Sequence, residues 1–113
     1  MARYEPINLG FVTADGESPI IHYDGGELRF RFTDWHESPV EFIASGVLHF
    51  AWTDELFEPD IREDSTYEVL DSPLVAKYRQ FNIVSADATL RHFKLCFNAQ
   101  GVFDVVCEQI RNA

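Results

Sequence analysis

The stretch Leu90–Ile110, LRHFKLCFNAQGVFDVVCEQI, decides how the chain folds. Two runs rich in alternating apolar residues, Leu90–Phe97 and Val102–Ile110, flank Asn98-Ala99-Gln100-Gly101. Successive side chains of a strand point to opposite faces, so each run reads as a β-strand. Gly101 takes a positive φ without steric cost, which suits a short hairpin loop. The register expected from that loop pairs Phe97 with Phe103, Leu95 with Val105 and Phe93 with Cys107. One face of the hairpin then carries all six of these apolar residues. A slip of one residue would bring Asp104 and Glu108 into the stripe, so the choice of face is strongly specified.

The same period continues outward. Glu27–Thr33 alternates Leu28, Phe30 and Phe32 with Arg29, Arg31 and Thr33, the pattern of a half-buried strand. Ile20–Tyr23 and the turn Asp24-Gly25-Gly26 precede it and complete a hairpin. From Val40 to Trp52 the even positions are Val40, Phe42, Ala44, Gly46, Leu48, Phe50 and Trp52, which predicts one long strand bent or bulged at Gly46. Asn8–Thr13 is a weaker strand candidate. Thr66–Leu70 is another, although Ser65-x-x-Glu68 also fits a capping box opening a helix turn. Ser72 as cap, Pro73 at the first position, and Leu74 and Tyr78 one turn apart predict a helix ending by Asn82. The expected fold is mainly β: a small antiparallel sandwich or partly open barrel of six to seven strands with one short helix. An α+β sheet with the helix across one face is the alternative.

With 113 residues the chain is read as a single domain, 1–113. Hydrophobic residues at 46% and aromatics at 14% are enough for a packed core. No window approaches the run of about 20 apolar residues that crosses a membrane, and the polar start predicts a cytoplasmic rather than a secreted protein. Nineteen acids against nine Lys and Arg give a net charge of −10, which argues against a nucleic-acid partner. Two cysteines without a Cys-x-x-Cys motif are no disulfide scaffold. Cys96 and Cys107 fall on opposite faces of the hairpin and are read as reduced, buried thiols.

The charge is uneven. Asp54 to Asp71 holds eight acids and one base, Arg62, a net of −7 within 18 residues, with Trp52, Leu56, Phe57 and Ile61 interleaved or adjacent. A solvated loop has this composition. So does an acidic rim around aromatic anchors, where charge steers a basic partner and buried aromatics hold it. On that reading Trp52, Glu55, Phe57, Glu58, Asp60, Glu63 and Asp64 bind the partner. Asp54, Glu58 and Asp60 lack the spacing of a calcium loop.

The histidines His22, His36, His49 and His92 form no metal-binding spacing, so no metal or other cofactor is expected. His92 is expected across from Glu108 in the hairpin. His22, Glu41, His49 and His92 would line a pocket if a sandwich or barrel brought them together. Trp35, in the loop before Pro39, is a second candidate surface anchor, although a cap on an edge of the core is the favoured expectation. Gly-x-Ser-x-Gly is absent, as is any glycine-rich phosphate loop.

The segment His92–Cys107 resembles the closing hairpin of small bacterial proteins, some of them similar to immunity proteins of polymorphic toxin systems. The resemblance implies a small acidic domain that neutralises a toxin by binding it, and it carries no catalytic motif. The primary expectation is thus a binding module for a basic protein, an inhibitor or immunity protein. Two alternatives stand beside it: a ligand-binding or metal-dependent catalytic β-barrel built on the inward histidines, and a self-associating subunit, a homodimer formed through sheet edges.

Overall fold

The computed structural model describes residues 3–54, 62, 64–81, 89–97 and 101–113. Among these, the chain runs β1 (Arg3–Pro6), β2 (Glu17–Asp24), β3 (Glu27–Thr33), β4 (Pro39–Ser45), β5 (His49–Thr53), β6 (Thr66–Leu70), α1 (Pro73–Gln80), β7 (Arg91–Phe97), β8 (Gly101–Cys107) and β9 (Gln109–Asn112). The strands form two antiparallel sheets, ordered β1-β6-β7-β8-β5 and β2-β3-β4-β9. Their facing sides close one core. Leu28, Phe30, Phe32, Phe42 and Ala44 come from the four-stranded sheet, and Phe93, Leu95, Phe97, Phe103, Val105 and Cys107 from the five-stranded sheet. Phe30 sits at the centre, its ring 4.9 Å from Phe42, 5.2 Å from Phe97 and 4.8 Å from Phe103. Each ring withdrawn from water in this way contributes about 1.5–3 kcal/mol. Among the described residues the fold is a small β-sandwich with one short helix, and they form no closed barrel.

The hairpin stripe lies inward as its alternation requires, but its register differs by two residues. Phe97 pairs with Gly101, Leu95 with Phe103, Phe93 with Val105 and Arg91 with Cys107. Gly101 is the first residue of β8, at φ 144°, so the ladder closes two residues tighter than a loop containing it would allow. A shift of two preserves every face, which is why the core assignment survives the error. His92 consequently lies across from Val106, not Glu108.

The two longest expected strands are each divided. β4 belongs to one sheet and β5 to the other, with Gly46 between them at φ 65°. β8 ends at Cys107, and the chain crosses past Glu108 into β9 of the other sheet. The crossings occur together. Ser45 pairs with Gln109 on one side of the corner and His49 with Val106 on the other, so residues 46–48 oppose 107–108. This extra residue is a bulge, the device by which strands change sheets. The Glu108 amide donates to Ser45 O and the Leu48 amide to Val106 O, both at 2.9 Å, so pairing continues through the bend.

Other expectations resolve locally. Thr66–Leu70 is a strand, and α1 starts and stops as its caps require: Ser72 is the N-cap, Pro73 opens the helix, and the chain leaves it at Phe81. Asn8–Thr13 is not a strand, although Phe11 from this segment stacks on Phe42 at 4.8 Å; the first strand is the polar β1, which has no alternating signal. Trp35 does not cap the core. It is 56% exposed and lies against His36, because Asp34 folds its loop outward by accepting from the His36 and Ser38 amides.

Two predictions test this architecture. A Cβ at Gly46 would stand 2.5 Å from Glu108 Cγ, and left-handed backbone costs an L-residue roughly 1–2 kcal/mol. Gly46→Ala should therefore lower the unfolding free energy obtained from urea denaturation by at least that amount; an unchanged value would show that the corner does not constrain the sandwich. Cys96 and Cys107 are free and buried, and burial pushes their thiols up to about 11 and about 12. At pH 8 neither should react with a disulfide reagent in the native state, and both should react at once in urea. Rapid native labelling would contradict this packing.

Candidate functional site

Side chains on the outer side of the five-stranded sheet, away from the phenylalanine core, are also largely buried. Tyr67, His92, Cys96, Val102 and Val106 all lie there. Helix α1 packs beside β7, with Tyr78 Oη donating to the Leu48 carbonyl at 3.1 Å. Polar groups enclosed in this way need partners, and four of them supply one another.

His92 occupies the centre of that set. Its Nε2 lies 2.7 Å from Asp104 Oδ1, and its Nδ1 lies 2.8 Å from Ser72 Oγ. Lys94 Nζ donates to Asp104 Oδ2 at 3.3 Å. An ionised carboxylate is acceptor only, so Asp104 takes the proton-bearing Nε2, and Nδ1 of the neutral ring is left to accept from Ser72. Burial opposes ionisation of Asp104. The hydrogen bond from His92 and the Lys94 ammonium outweigh it and hold the carboxyl below its usual range. Ser72 also receives the Val75 amide, but at 3.4 Å, longer than its bond to the imidazole.

A groove of 470 Å³ opens beside Ser72 and His92, between the end of β6, the first turns of α1 and the start of β7. Arg91 forms part of its wall and holds Glu68 through two bonds of 2.9 and 2.6 Å, while its guanidinium lies 4.7 Å above Phe93. The hydrogen bond from Arg91 keeps the Glu68 carboxyl below its ordinary value.

The residues expected to share a pocket are dispersed. Glu41 lines a hollow with Trp35 and His36, His49 lines one with Tyr23 and Phe50, and His92 lines the groove beside α1. His22 is exposed on β2, across from Arg29. The division of the long strand at Gly46 explains the separation of Glu41 from His49: the two now belong to different sheets. Among the described residues no cluster of three His, Cys, Asp or Glu side chains is arranged to hold a metal ion. Nor is any helix among them long and apolar enough to cross a membrane.

Of the residues expected to meet a partner, Glu55, Phe57, Glu58, Asp60 and Glu63 lie outside the described residues. Trp52 is half-buried against Phe30 and Phe97 and donates from Nε1 to Asp54. Asp64 is paired with Arg62. Other aromatics are exposed: Phe81 at 63%, Trp35 at 56%, and Tyr23 and Phe50 at 46% and 38%, the last two with ring centroids 5.3 Å apart. Ser72 and Asp104 were not among the candidate residues. They stand 20 and 12 positions from His92, and only the pairing of β7 with β8 and the docking of α1 bring them to it.

In comparisons with protein-family models, with curated proteins and with solved structures, the chain matches none.

Asp104 and Glu68 make stability depend on acid. Each carboxyl is held below its unfolded value of about 4, so its contribution is complete above that pH and is lost as pH falls through the lower folded value. The urea midpoint should fall steeply below about pH 4. In Asp104→Asn and Glu68→Gln it should be lower at pH 7 and decline less in acid; acid limbs parallel to the wild type would show that these pairs do not contribute.

Proposed function

We propose that this protein is a small acidic binding module that engages a basic protein partner, in the manner of an inhibitor or immunity protein. The observation that carries this reading is the segregation of charge. Arg29, Arg31 and Arg111 share the outer side of the four-stranded sheet, where Glu27 and Glu41 pair with Arg29 and Glu27 also with Arg111. The acid-rich connection belongs to the other sheet. It leaves β5 at Asp54 and returns at β6, where the Arg62 amide donates to Tyr67 Oη and the Cys96 amide to Ser65 O. Six of the 19 acids lie between Asp54 and Asp64, whereas on the outer side of the four-stranded sheet Glu27 and Glu41 offset the arginines, so the excess acid is concentrated in the stretch that joins β5 to β6.

A field of this kind attracts a basic partner before contact and aligns it. Tyr23 and Phe50 take the anchoring role expected of Trp52, because they form a partly exposed pair while Trp52 packs against the core. Phe50 lies four residues before Asp54, so anchors and acids are contiguous along β5 and beyond. Trp52, Glu55, Phe57, Glu58, Asp60, Glu63 and Asp64 remain the proposed partner-binding stretch, now joined by this exposed pair.

The test uses the protein as bait in a lysate of its own source, washed through a salt series, beside a Glu58→Lys/Asp60→Lys bait. A stoichiometric basic protein should elute from the wild type as salt rises and be captured poorly by the reversed bait. With that partner purified, charge reversal should slow association and flatten its salt dependence, and Phe50→Ala should raise the dissociation rate about tenfold or more. Equal capture by both baits at every salt concentration would remove the acidic stretch from the mechanism.

A further inference from the structure

We infer that Ser72 is a nucleophile toward small acyl esters, with His92 as its general base and the groove beside α1 as the acyl-binding site. Three independent features converge on this serine. The first is its place in the chain. β6 ends at Leu70, Asp71 adopts a left-handed φ of 55°, and Ser72 stands at the cap from which α1 starts. Aspartate enters the left-handed region more readily than most residues, and a tight strand-to-helix turn of this kind is one place where a serine can be presented for chemistry.

The second feature is the direction of its hydroxyl. A serine that serves only as a cap directs its oxygen to the first-turn amides. Ser72 makes its shorter bond, 2.8 Å, to His92 Nδ1 and is only 4% exposed. The opposite ring nitrogen lies 2.7 Å from Asp104, so in the tautomer with its proton on Nε2 the Nδ1 atom faces Oγ as an acceptor. Nucleophile, base and orienting carboxylate are therefore all within hydrogen-bond reach, as proton transfer from a hydroxyl requires. The ring is used in reverse of the familiar serine triad, with Nδ1 toward the serine and Nε2 toward the carboxylate. Both nitrogens are chemically competent for the role.

The third feature is space. The 470 Å³ groove is lined by Ser72 and His92 themselves, by the apolar Val69, Val75 and Leu90, and by Arg91 at its rim. That volume falls in the range of roughly 300–1,000 Å³ typical of small-ligand sites; Glu68, Asp71 and Arg79 also line it, so a short acyl chain would lie along the Val69, Val75 and Leu90 part of the wall. In the reaction Ser72 Oγ bonds to the ester carbonyl carbon while its proton passes to Nδ1. The ester C–O bond then breaks, and the departing alkoxide takes that proton. Water, giving a proton to the same nitrogen, cleaves the acyl–Oγ bond and releases the free acid and the serine hydroxyl.

The test is covalent and does not depend on knowing the ester. The full chain is incubated with an alkyl fluorophosphonate, whose fluoride is displaced from phosphorus by an activated serine, and the adduct is located by peptide mass spectrometry. One adduct is expected, on Ser72, together with measurable hydrolysis of 4-nitrophenyl butyrate. Ser72→Ala should abolish both, while Ser38→Ala, in an exposed loop, should change neither. His92→Gln should slow labelling roughly 10²- to 10⁴-fold. Asp104→Asn should slow it too, and Asp104→Glu, which restores the acceptor, should recover part of the loss. Circular dichroism checks that each variant is folded. Wild-type protein that is folded yet unlabelled would overturn the proposal and leave Ser72 as a docking contact for α1. An adduct on another serine, or labelling undiminished in folded His92→Gln, would overturn it equally.

Discussion

The corner at Gly46 and Glu108 is the constraint on which the sandwich depends. There the β4–β9 ladder of one sheet continues into the β5–β8 ladder of the other, with three residues opposing two. A regular ladder would carry its apolar stripe straight on and leave half of it facing water. The bulge turns the chain so that Phe42 and Phe103 arrive on opposite walls of the same interior, with Phe30 between them. The turn needs left-handed backbone and close passage of the Glu108 side chain, and glycine permits both at once. Both crossings share this point, so a single local geometry joins the sheets.

Sheet joining also determines what happens on the outer side. With the phenylalanines occupying one face of β7 and β8, their alternate residues must face away, and these include His92, Lys94 and Asp104. Helix α1 packs near them, and the groups it encloses satisfy one another: Lys94 and His92 on Asp104, and Ser72 on His92. Burying a charge without partners is costly, whereas a connected set of partners holds a single arrangement. The same chain of bonds thus fixes the helix to the sheet and positions a serine against an imidazole. Stability and chemistry draw on one network there.

Electrostatic asymmetry follows from topology in the same way. The alternation of β3 sends Arg29 and Arg31 outward together, and β9 adds Arg111 beside them through its pairing with β4. The acid-rich connection joins β5 to β6, strands of the other sheet that are separated there by β7 and β8. The proposed ester chemistry falls on the five-stranded half, while the four-stranded half presents a more balanced, ion-paired surface.

Sequence alone determined most of the elements and their faces, but not the polar β1, and it marked Asn8–Thr13 as a strand that does not form. Period-two alternation identified Phe93, Leu95, Phe97, Phe103, Val105, Leu28, Phe30 and Phe32 as core, and Ser72-Pro73 located the helix start, because side-chain alternation and capping are local properties of the chain. The hairpin register was missed by two residues because alternation is blind to a shift of two. The sheet change at Gly46 was legible only as a bend: which sheet each half joins depends on partners far away in sequence. Nor did any local motif mark Ser72, His92 and Asp104 as a set. Those three meet because β7 pairs with β8 and α1 docks beside them, and only tertiary structure brings together groups 12 and 20 residues apart to within a hydrogen bond.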